Sequence, residues 1–459
     1  MSLQGGGVAP RVAVISLGCA KNVADTDLLA GQLLREGLRI TPEIDAADAV
    51  VVNTCAFLTA AQQESIEAIL AIAQHKRTRP ECRLIVAGCL SQRHGAALIQ
   101  EIPEIDLVVG PGEIHSLASH LADLIARGPD GDPRTRLGGL DRVEEDWEIR
   151  VVSGSRHSAY VKISDGCDRA CSFCLIPVLR GRNRSRRRES IVREVRHLAA
   201  GGVREVNLVA QESTAYGTDL YGRSCLAELL RELDSIQGLR WIRLLYAHPS
   251  SWNDALYACF RDLGHLCRYV DLPIQHVSAP MLRRMHRPGA RSTRKLLDRL
   301  REEIPGVAVR TTLMAGFPGE TDAEFDEMLS FVREYEFDQL GVFAFSPEEG
   351  TEAAILPGQV PAAVRAERRR RLLETQREIS RARNRRSLGK QLTLLVDEPD
   401  RRGGWIARHE KQAPEVDGIT RLEGTPSLAL EPGSFIEGIV TSAGTYDLEA
   451  RPAMGQEVV

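Results

Sequence analysis

At 459 residues the chain is long enough for about three domains, and 43% hydrophobic against 27% charged residues supplies ample core-forming material for a globular protein. A formal net charge of −4 excludes a uniformly basic nucleic-acid coat. No stretch approaches the ~18 apolar residues of a spanning helix, and the glycine-rich start, 1–11, lacks an apolar signal core, so a cytoplasmic protein with no membrane partner is expected.

Up to about residue 145 the pattern alternates between strand and helix. Apolar runs at 11–17, 49–52, 84–87 and 107–109 read as buried parallel strands, with helical patterns such as 25–36 and 59–74 between them. This alternation predicts an α/β domain, an N-terminal doubly wound parallel sheet with right-handed crossovers. Cys19, Cys55 and Cys89 each follow directly after one of the first three strands. In a parallel sheet they emerge on one edge, at the carboxyl ends where open sheets bind ligands. Gly18 and Gly88 precede two of them and give the backbone room to turn round a bulky ligand. The alternative is three unrelated buried cysteines.

A charged, glycine-containing stretch, 127–150, reads as a linker. Beyond it, strands at 159–163, 205–209, 240–246, 269–273, 308–314 and 339–345 alternate with helices, which predicts a central open (β/α)6 partial barrel with ligands at the strand carboxyl ends. Cys167, Cys171 and Cys174 follow its first strand as C-x-x-x-C-x-x-C. Three thiolates can hold three irons of a four-iron four-sulfur cluster and leave the fourth open. S-adenosylmethionine (SAM) can chelate that iron, and one electron then cleaves a carbon–sulfur bond to give methionine and a 5′-deoxyadenosyl radical. A zinc site is the alternative, but structural zinc takes four ligands and nothing adjacent completes the set.

Other residues at the expected barrel mouth admit two readings each. Phe173 either packs against the adenosine or wedges the cysteine loop. Gln211, Glu212, Ser213, Gln275, His276, Thr311, Thr312 and the loop Gly316-Phe317-Pro318-Gly319-Glu320 either contact SAM or substrate, or serve as caps and turns. Arg180, Arg182, Arg184, Arg186, Arg187 and Arg188 form either a solvated face or a contact for the SAM carboxylate or an acidic substrate segment. Ten cysteines in a reducing compartment are not read as disulfides. Cys225, Cys259 and Cys267, in helix-like stretches, and Cys82, before a strand, read as small buried hydrophobes.

The stretch 361–387 is helix-like, with ten arginines against three glutamates. From 388 short β runs at 391–396, 404–408 and 435–443 suit a small antiparallel β-barrel of the OB type. Domain bounds are expected at 1–145, 146–387 and 388–459.

Together these motifs resemble the methylthiotransferase family of radical SAM enzymes over nearly the whole chain. The landmarks are Ser16-Leu17-Gly18-Cys19, Asn53-Thr54-Cys55, Gly88-Cys89-Leu90, the Cys167–Cys174 motif, and a terminal β module that looks like a TRAM domain. The resemblance implies that Cys19, Cys55 and Cys89 bind an auxiliary cluster that delivers sulfur, making the cofactors two four-iron four-sulfur clusters and S-adenosylmethionine. It also implies an electron donor such as a flavodoxin or ferredoxin, and a sulfur donor or carrier. Within the family the chain is most similar to the RimO type, which modifies an aspartate of small-subunit ribosomal protein number twelve, free or on the ribosome. That similarity rests on Ser164-Asp165-Gly166-Cys167-Asp168, on Ala210-Gln211-Glu212-Ser213-Thr214-Ala215-Tyr216-Gly217, on Ala413-Pro414-Glu415-Val416-Asp417-Gly418 and on Lys21-Asn22; Ala20 departs from the usual proline. The implied reaction takes methyl from one SAM and a radical from another. The radical removes a β-hydrogen from the aspartate, and cluster sulfur traps the carbon. Methylthiolation of adenosine in tRNA is the alternative among enzymes, and a non-catalytic metal-binding ribosome-associated protein is the alternative of another class.

Charge bears on this choice. From Leu388 onward seven Lys/Arg stand against twelve Asp/Glu, a net −5. Such a module repels phosphate and suits a basic protein. The arginine-rich helix before it could still touch ribosomal RNA.

Overall fold

The computed structural model describes residues 9–127, 135–145, 147–424 and 430–453. Most of the glycine-rich start and, within the expected linker, residues 128–134 and 146 lie outside the described residues.

The first sheet contains β1 (Arg11–Ser16), β2 (Arg39–Ile40), β3 (Ala49–Thr54), β4 (Arg83–Gly88), β5 (Leu107–Val109) and β6 (Thr135–Arg136). They run parallel in the order β2-β1-β3-β4-β5-β6. Helices α1 (Ala20–Arg35), α2 (Thr59–Thr78), α3 (Cys89–Glu101) and α4 (Leu117–Arg127) cover it on both sides. That is why β3 reads Ala-Val-Val-Val with no polar alternation. Val50 and Val52 pack against Ile69 and Ile72 of α2, while Val51 packs with Leu29 and Leu33 of α1 and Leu121 of α4. Strand order reverses between β1 and β3, the switch point where such sheets leave a crevice.

The second sheet is the open barrel. It contains β7 (Ser158–Lys162), then a short ribbon of β8 (Ser164–Asp165) and β9 (Arg184–Ser185), then β10 (Glu205–Val209), β11 (Trp241–Leu244), β12 (Leu266–Asp271), β13 (Ala308–Ala315) and β14 (Gln339–Ala344). Apart from the ribbon, the six strands are parallel in the order β14-β13-β12-β11-β10-β7. One face carries Val206, Leu208, Ile242, Val270 and Val309 into the largest core. The other sends Tyr160, Trp241, Tyr269 and Ala308 into a core shared with Leu28 of α1 and with Leu395, Ala413 and Phe435 of the terminal module.

Two expectations need correction. The fourth barrel strand begins at Leu266, so Cys267 lies in a strand and not in a helix-like stretch. The exposed Arg268 interrupts the apolar run, so the first residues of this strand do not read as a covered strand. The stretch 127–150 is no free linker either: it supplies β6 as an edge strand and buries Trp147 and Arg150. Arg150 pairs with Asp27 of α1 and, at 2.7 Å, with Glu194 of the barrel.

After the long helix Ala362–Arg385 the chain closes a five-stranded barrel of β15 (Gln391–Pro399), β16 (Trp405–His409), β17 (Thr420–Leu422), β18 (Phe435–Ala443) and β19 (Leu448–Pro452). All neighbours are antiparallel except β17 and β19. An odd number of strands cannot alternate direction all the way round a closed ring. This module is locked to the inner face of the open barrel. Arg408 pairs with Glu205 at 2.8 Å, Tyr269 donates to Asp417 at 2.7 Å, and Arg310 pairs with Asp417. Asp397 meets His157 at 2.8 Å. Part of the module's negative charge therefore points inward, and its exposed surplus is smaller than the sequence total.

Candidate active site

The first triplet sits at the switch point of the N-terminal sheet. Cys19 precedes the first turn of α1, Cys55 directly follows β3, and Cys89 opens α3 after β4. Gly18 and Gly88 both have φ of +95°. A Cβ on Gly18 would stand 2.4 Å from the Cβ of Cys55, and one on Gly88 would stand 2.5 Å from the Thr54 carbonyl. The neighbouring strand end, more than any ligand, thus requires glycine there. Asn22 staples the edge: its Nδ2 donates to the carbonyls of Leu17 (2.8 Å) and Thr54 (2.9 Å). Burial and the neighbouring Cys19 push the Cys55 thiol up to about 11, and burial likewise raises Cys89. Burial also opposes ionisation of Cys19, but Lys21 and Arg180 outweigh it and the thiol titrates below its ordinary value.

The second triplet lies in the loop between β8 and α5 (Ile176–Arg180). Backbone N–H groups aim at two of its sulfurs: Arg169 donates to Cys167 and Ile176 to Cys174, both at 3.4 Å. The Arg287 guanidinium approaches Cys171 Sγ at 3.7 Å. Desolvation raises Cys167 to about 11 and Cys174 to about 12. Sulfurs that are costly to ionise in isolation, yet supplied with N–H donors, suit thiolates whose charge is shared with a bound metal centre.

One buried network joins the triplets. Arg180 Nε donates to Cys89 Sγ at 3.3 Å, its Nη1 to Asp25 (2.9 Å) and Asp165 (3.3 Å), and its Nη2 to Asn22 (2.7 Å). Lys162 Nζ reaches Asp165 at 2.8 Å and also Asp25. Gln211 Nε2 donates to Asp165 at 2.9 Å, and next to it Glu212 accepts at 2.8 Å from Arg169, the residue whose backbone N–H donates to Cys167. A cavity of about 210 Å3 opens beside this network, with Asp25, Trp147, Lys162 and Arg186 among its walls.

Among the other expected site residues, Gln211 leaves its buried Oε1 without a partner among the described residues. Ser164 Oγ, His248 Nε2 and Arg287 Nε are unpartnered in the same way. The first three lie at or just beyond the carboxyl ends of barrel strands, and Arg287, which follows the helix Ala279–Arg284, reaches back to the Pro273 carbonyl past the end of β12, so a polar ligand at the barrel mouth would satisfy them. Phe173 meets Phe317 edge-on at 6.5 Å, so it contacts the Gly316–Glu320 loop. Gln275 adopts φ of +72° and bridges to the β13 backbone, with its N–H on the Thr312 carbonyl at 2.8 Å. His276 accepts two backbone N–H groups at Nδ1, so Nε2 carries the proton and donates to Glu320 at 3.1 Å. Glu320 also accepts from Gly316 N at 3.0 Å and from Arg368 at 2.7 Å, which fixes the loop. Ser213 and Thr311 donate to the carbonyls of Leu245 and Leu272, which makes them structural ties.

The arginine run is not one face. Arg180 and Arg186 are fully buried, whereas Arg182 is exposed and faces Asp168 at 3.5 Å. Sequence reasoning passed over Asp25, Lys162, Tyr246 and His248. For Asp25 the sequence carried no signal: the first two turns of α1 are rich in polar residues and only the fold shows them buried almost all round. Burial pushes His248 down to about 2, with Arg287 and Arg169 adding to it, so its imidazole is neutral.

Residues 11–110 match an uncharacterized protein family, UPF0004, residues 161–332 the radical SAM superfamily, and residues 388–452 the TRAM domain. The chain is 46% identical to the ribosomal protein uS12 methylthiotransferase RimO of Desulforudis audaxviator, over 96% of this chain and 97% of that one. It is 42% identical to the protein of the same name from Geobacter sulfurreducens, over 95% and 97%. Among solved structures, the radical S-adenosylmethionine methyltransferase TsrM of Kitasatospora setae superposes with a TM-score of 0.55 at 18% identity, covering 73% of this chain and 75% of that one. The cobalamin-dependent radical enzyme OxsB superposes with a TM-score of 0.51 at 14% identity, covering 81% and 56%. These two likenesses show the fold.

Proposed function

The chain belongs to the RimO family of ribosomal protein uS12 methylthiotransferases, and from that premise we propose that it attaches a methylthio group to the β-carbon of an aspartate in uS12. The observation that carries this reading is identity over nearly the full length with relatives of that name.

Cys167, Cys171 and Cys174 would hold the four-iron four-sulfur cluster of the barrel, and Cys19, Cys55 and Cys89 the auxiliary one. Phe173, Gln211, Glu212, Gln275, Thr312 and Gly316 would line the SAM side. When bound, the barrel cluster supplies the electron that opens S-adenosylmethionine to a hydrogen-abstracting radical, and the auxiliary cluster supplies sulfur. The protein holds these centres in register. Arg180 ties Cys89 to Asp165, and Asp165 in turn orients Gln211. Burial opposes the charged form of Asp165, but Lys162 and Arg180 prevail and keep it ionised well below the ordinary carboxylate range. Glu212 holds Arg169, whose backbone N–H faces Cys167.

Units bounded at 1–145, 146–387 and 388–459, a cytoplasmic location, a flavodoxin- or ferredoxin-like electron donor and a sulfur carrier complete the proposal. Among the described residues no helix is long and apolar enough to cross a membrane. The test offers purified uS12 and tRNA to the reconstituted enzyme under identical conditions. Methylthiolated aspartate is expected. Modified tRNA adenosine with the aspartate untouched overturns the substrate, and failure to form 5′-deoxyadenosine from SAM and reductant overturns the enzyme.

A further inference from the structure

Of the buried cations around the two triplets, Lys162 and Arg180 face Asp25 and Asp165, and Arg186 faces Glu194. Lys21 is different. It is 8% exposed, and among the described residues no carboxylate forms an ion pair with it. Its Nζ instead lies 3.4 Å from the ring centroid of Tyr246. Tyr246 stands just past the carboxyl end of β11 with φ of +62°, a strained left-handed conformation for a tyrosine. Two hydrogen bonds keep it there: its N–H donates to Asp271 at 3.0 Å, and its carbonyl accepts from Ser213 N at 3.0 Å. Asp271, the carboxylate facing this pair from the barrel, is thereby turned toward the Tyr246 backbone, with Arg310 at 3.8 Å.

Within the chain the Cys19 sulfur is the anionic group that Lys21 answers; a largely buried ammonium that forms no carboxylate ion pair among the described residues still gains from a carboxylate arriving later. Lys21 is two residues from Cys19, and its ammonium reaches across to the barrel mouth. An anion bound there would lie between the sheet edge and the strand ends. In an aspartate side chain the carboxylate carbon is bonded directly to the β-carbon, so fixing one fixes the other. A neutral nucleobase offers no such handle.

Resting on the methylthiotransferase reading above, we propose that Lys21, positioned against Tyr246, receives the carboxylate of the target aspartate and makes the site selective for an acidic side chain. The competing role is a counter-ion for the neighbouring cysteine-held centre, and the test separates the two. Reconstituted wild-type, Lys21→Met and Lys21→Arg enzymes are titrated with labelled uS12 and with uS12 whose target aspartate is replaced by asparagine, with iron content measured in each. Wild type is expected to bind the aspartate form about 10- to 100-fold more tightly, the range of one charge-assisted hydrogen bond in a dry site. Lys21→Met should close that gap to within about threefold, and Lys21→Arg should keep part of it. A gap that survives Lys21→Met overturns the assignment, as does a loss of affinity that tracks lost iron equally for both forms. Wild-type binding without any gap overturns this inference alone. Absence of uS12 binding by wild type overturns the substrate reading with it.

Discussion

Replacing Glu205 by glutamine is expected to loosen the terminal module from the open barrel. Glu205 begins β10, is fully buried, and accepts from Arg408 Nη2 (2.8 Å), Arg243 Nη2 (3.1 Å) and Ser158 Oγ (2.8 Å). Burial opposes its ionisation, but the two guanidinium groups prevail and hold it at about 2, against an ordinary 4.5. At about 1.36 kcal/mol per pKa unit this corresponds to about 3 kcal/mol of stabilisation. Removing one partner of a buried ion pair costs about 3–5 kcal/mol, a matching figure. The folded-state pKa is depressed, so the contribution is complete above the unfolded carboxyl's value and is lost as pH falls from there toward about 2. Urea titrations at pH 7 and pH 3, read by tryptophan emission, suit the interface because Trp241 meets Phe435 of the module edge-on at 5.0 Å. Glu205→Gln should lower the first unfolding midpoint at pH 7, and its difference from wild type should narrow at pH 3. A variant within about 0.5 kcal/mol of wild type at pH 7, or a difference unchanged at pH 3, would refute the reasoning.

Replacing Cys167, Cys171 and Cys174 together by alanine should abolish reductive SAM cleavage and leave one cluster's worth of iron; persisting 5′-deoxyadenosine would contradict this. The triple alanine variant at Cys19, Cys55 and Cys89 should retain some SAM cleavage but insert no sulfur, and wild-type methylthiolation by that variant would make those thiols merely structural. Truncation before Leu388 should expose Trp241, Tyr269 and the Glu205–Arg243 pair, so the remaining barrel should unfold at lower temperature. An unchanged melting temperature would contradict a stabilising role for this interface.

The sheets were legible in the sequence because strands covered on both faces read as unbroken apolar runs, and 49–52 lies within the observed β3. The strand-end position of Cys19, Cys55 and Cys89 follows from the same runs and needs no long-range information. Contacts between domains were not legible. The first turns of α1 look solvated in sequence, yet Asn22, Asp25 and Asp27 are buried against Arg180, Lys162 and Arg150. Asp417 illustrates the difficulty with charge counts. In sequence it is one acid of an acidic module, available to attract a basic partner. In the fold its side chain is wholly buried between Arg310 and Tyr269, so reversing its charge would break the domain interface rather than weaken docking. A charge sum cannot tell an outward carboxylate from one engaged within the molecule.

The most direct measurement is the mass of ribosomal protein uS12 from the native organism and from a strain lacking this gene, with fragmentation to locate the modified residue. The increment of one methylthio group on a single aspartate should be present in the first, absent in the second, and restored by the wild-type gene but not by one encoding the Cys19/Cys55/Cys89 triple alanine variant. An unmodified aspartate in the native organism, or a modification that survives loss of the gene, would contradict uS12 methylthiolation as the function of this chain.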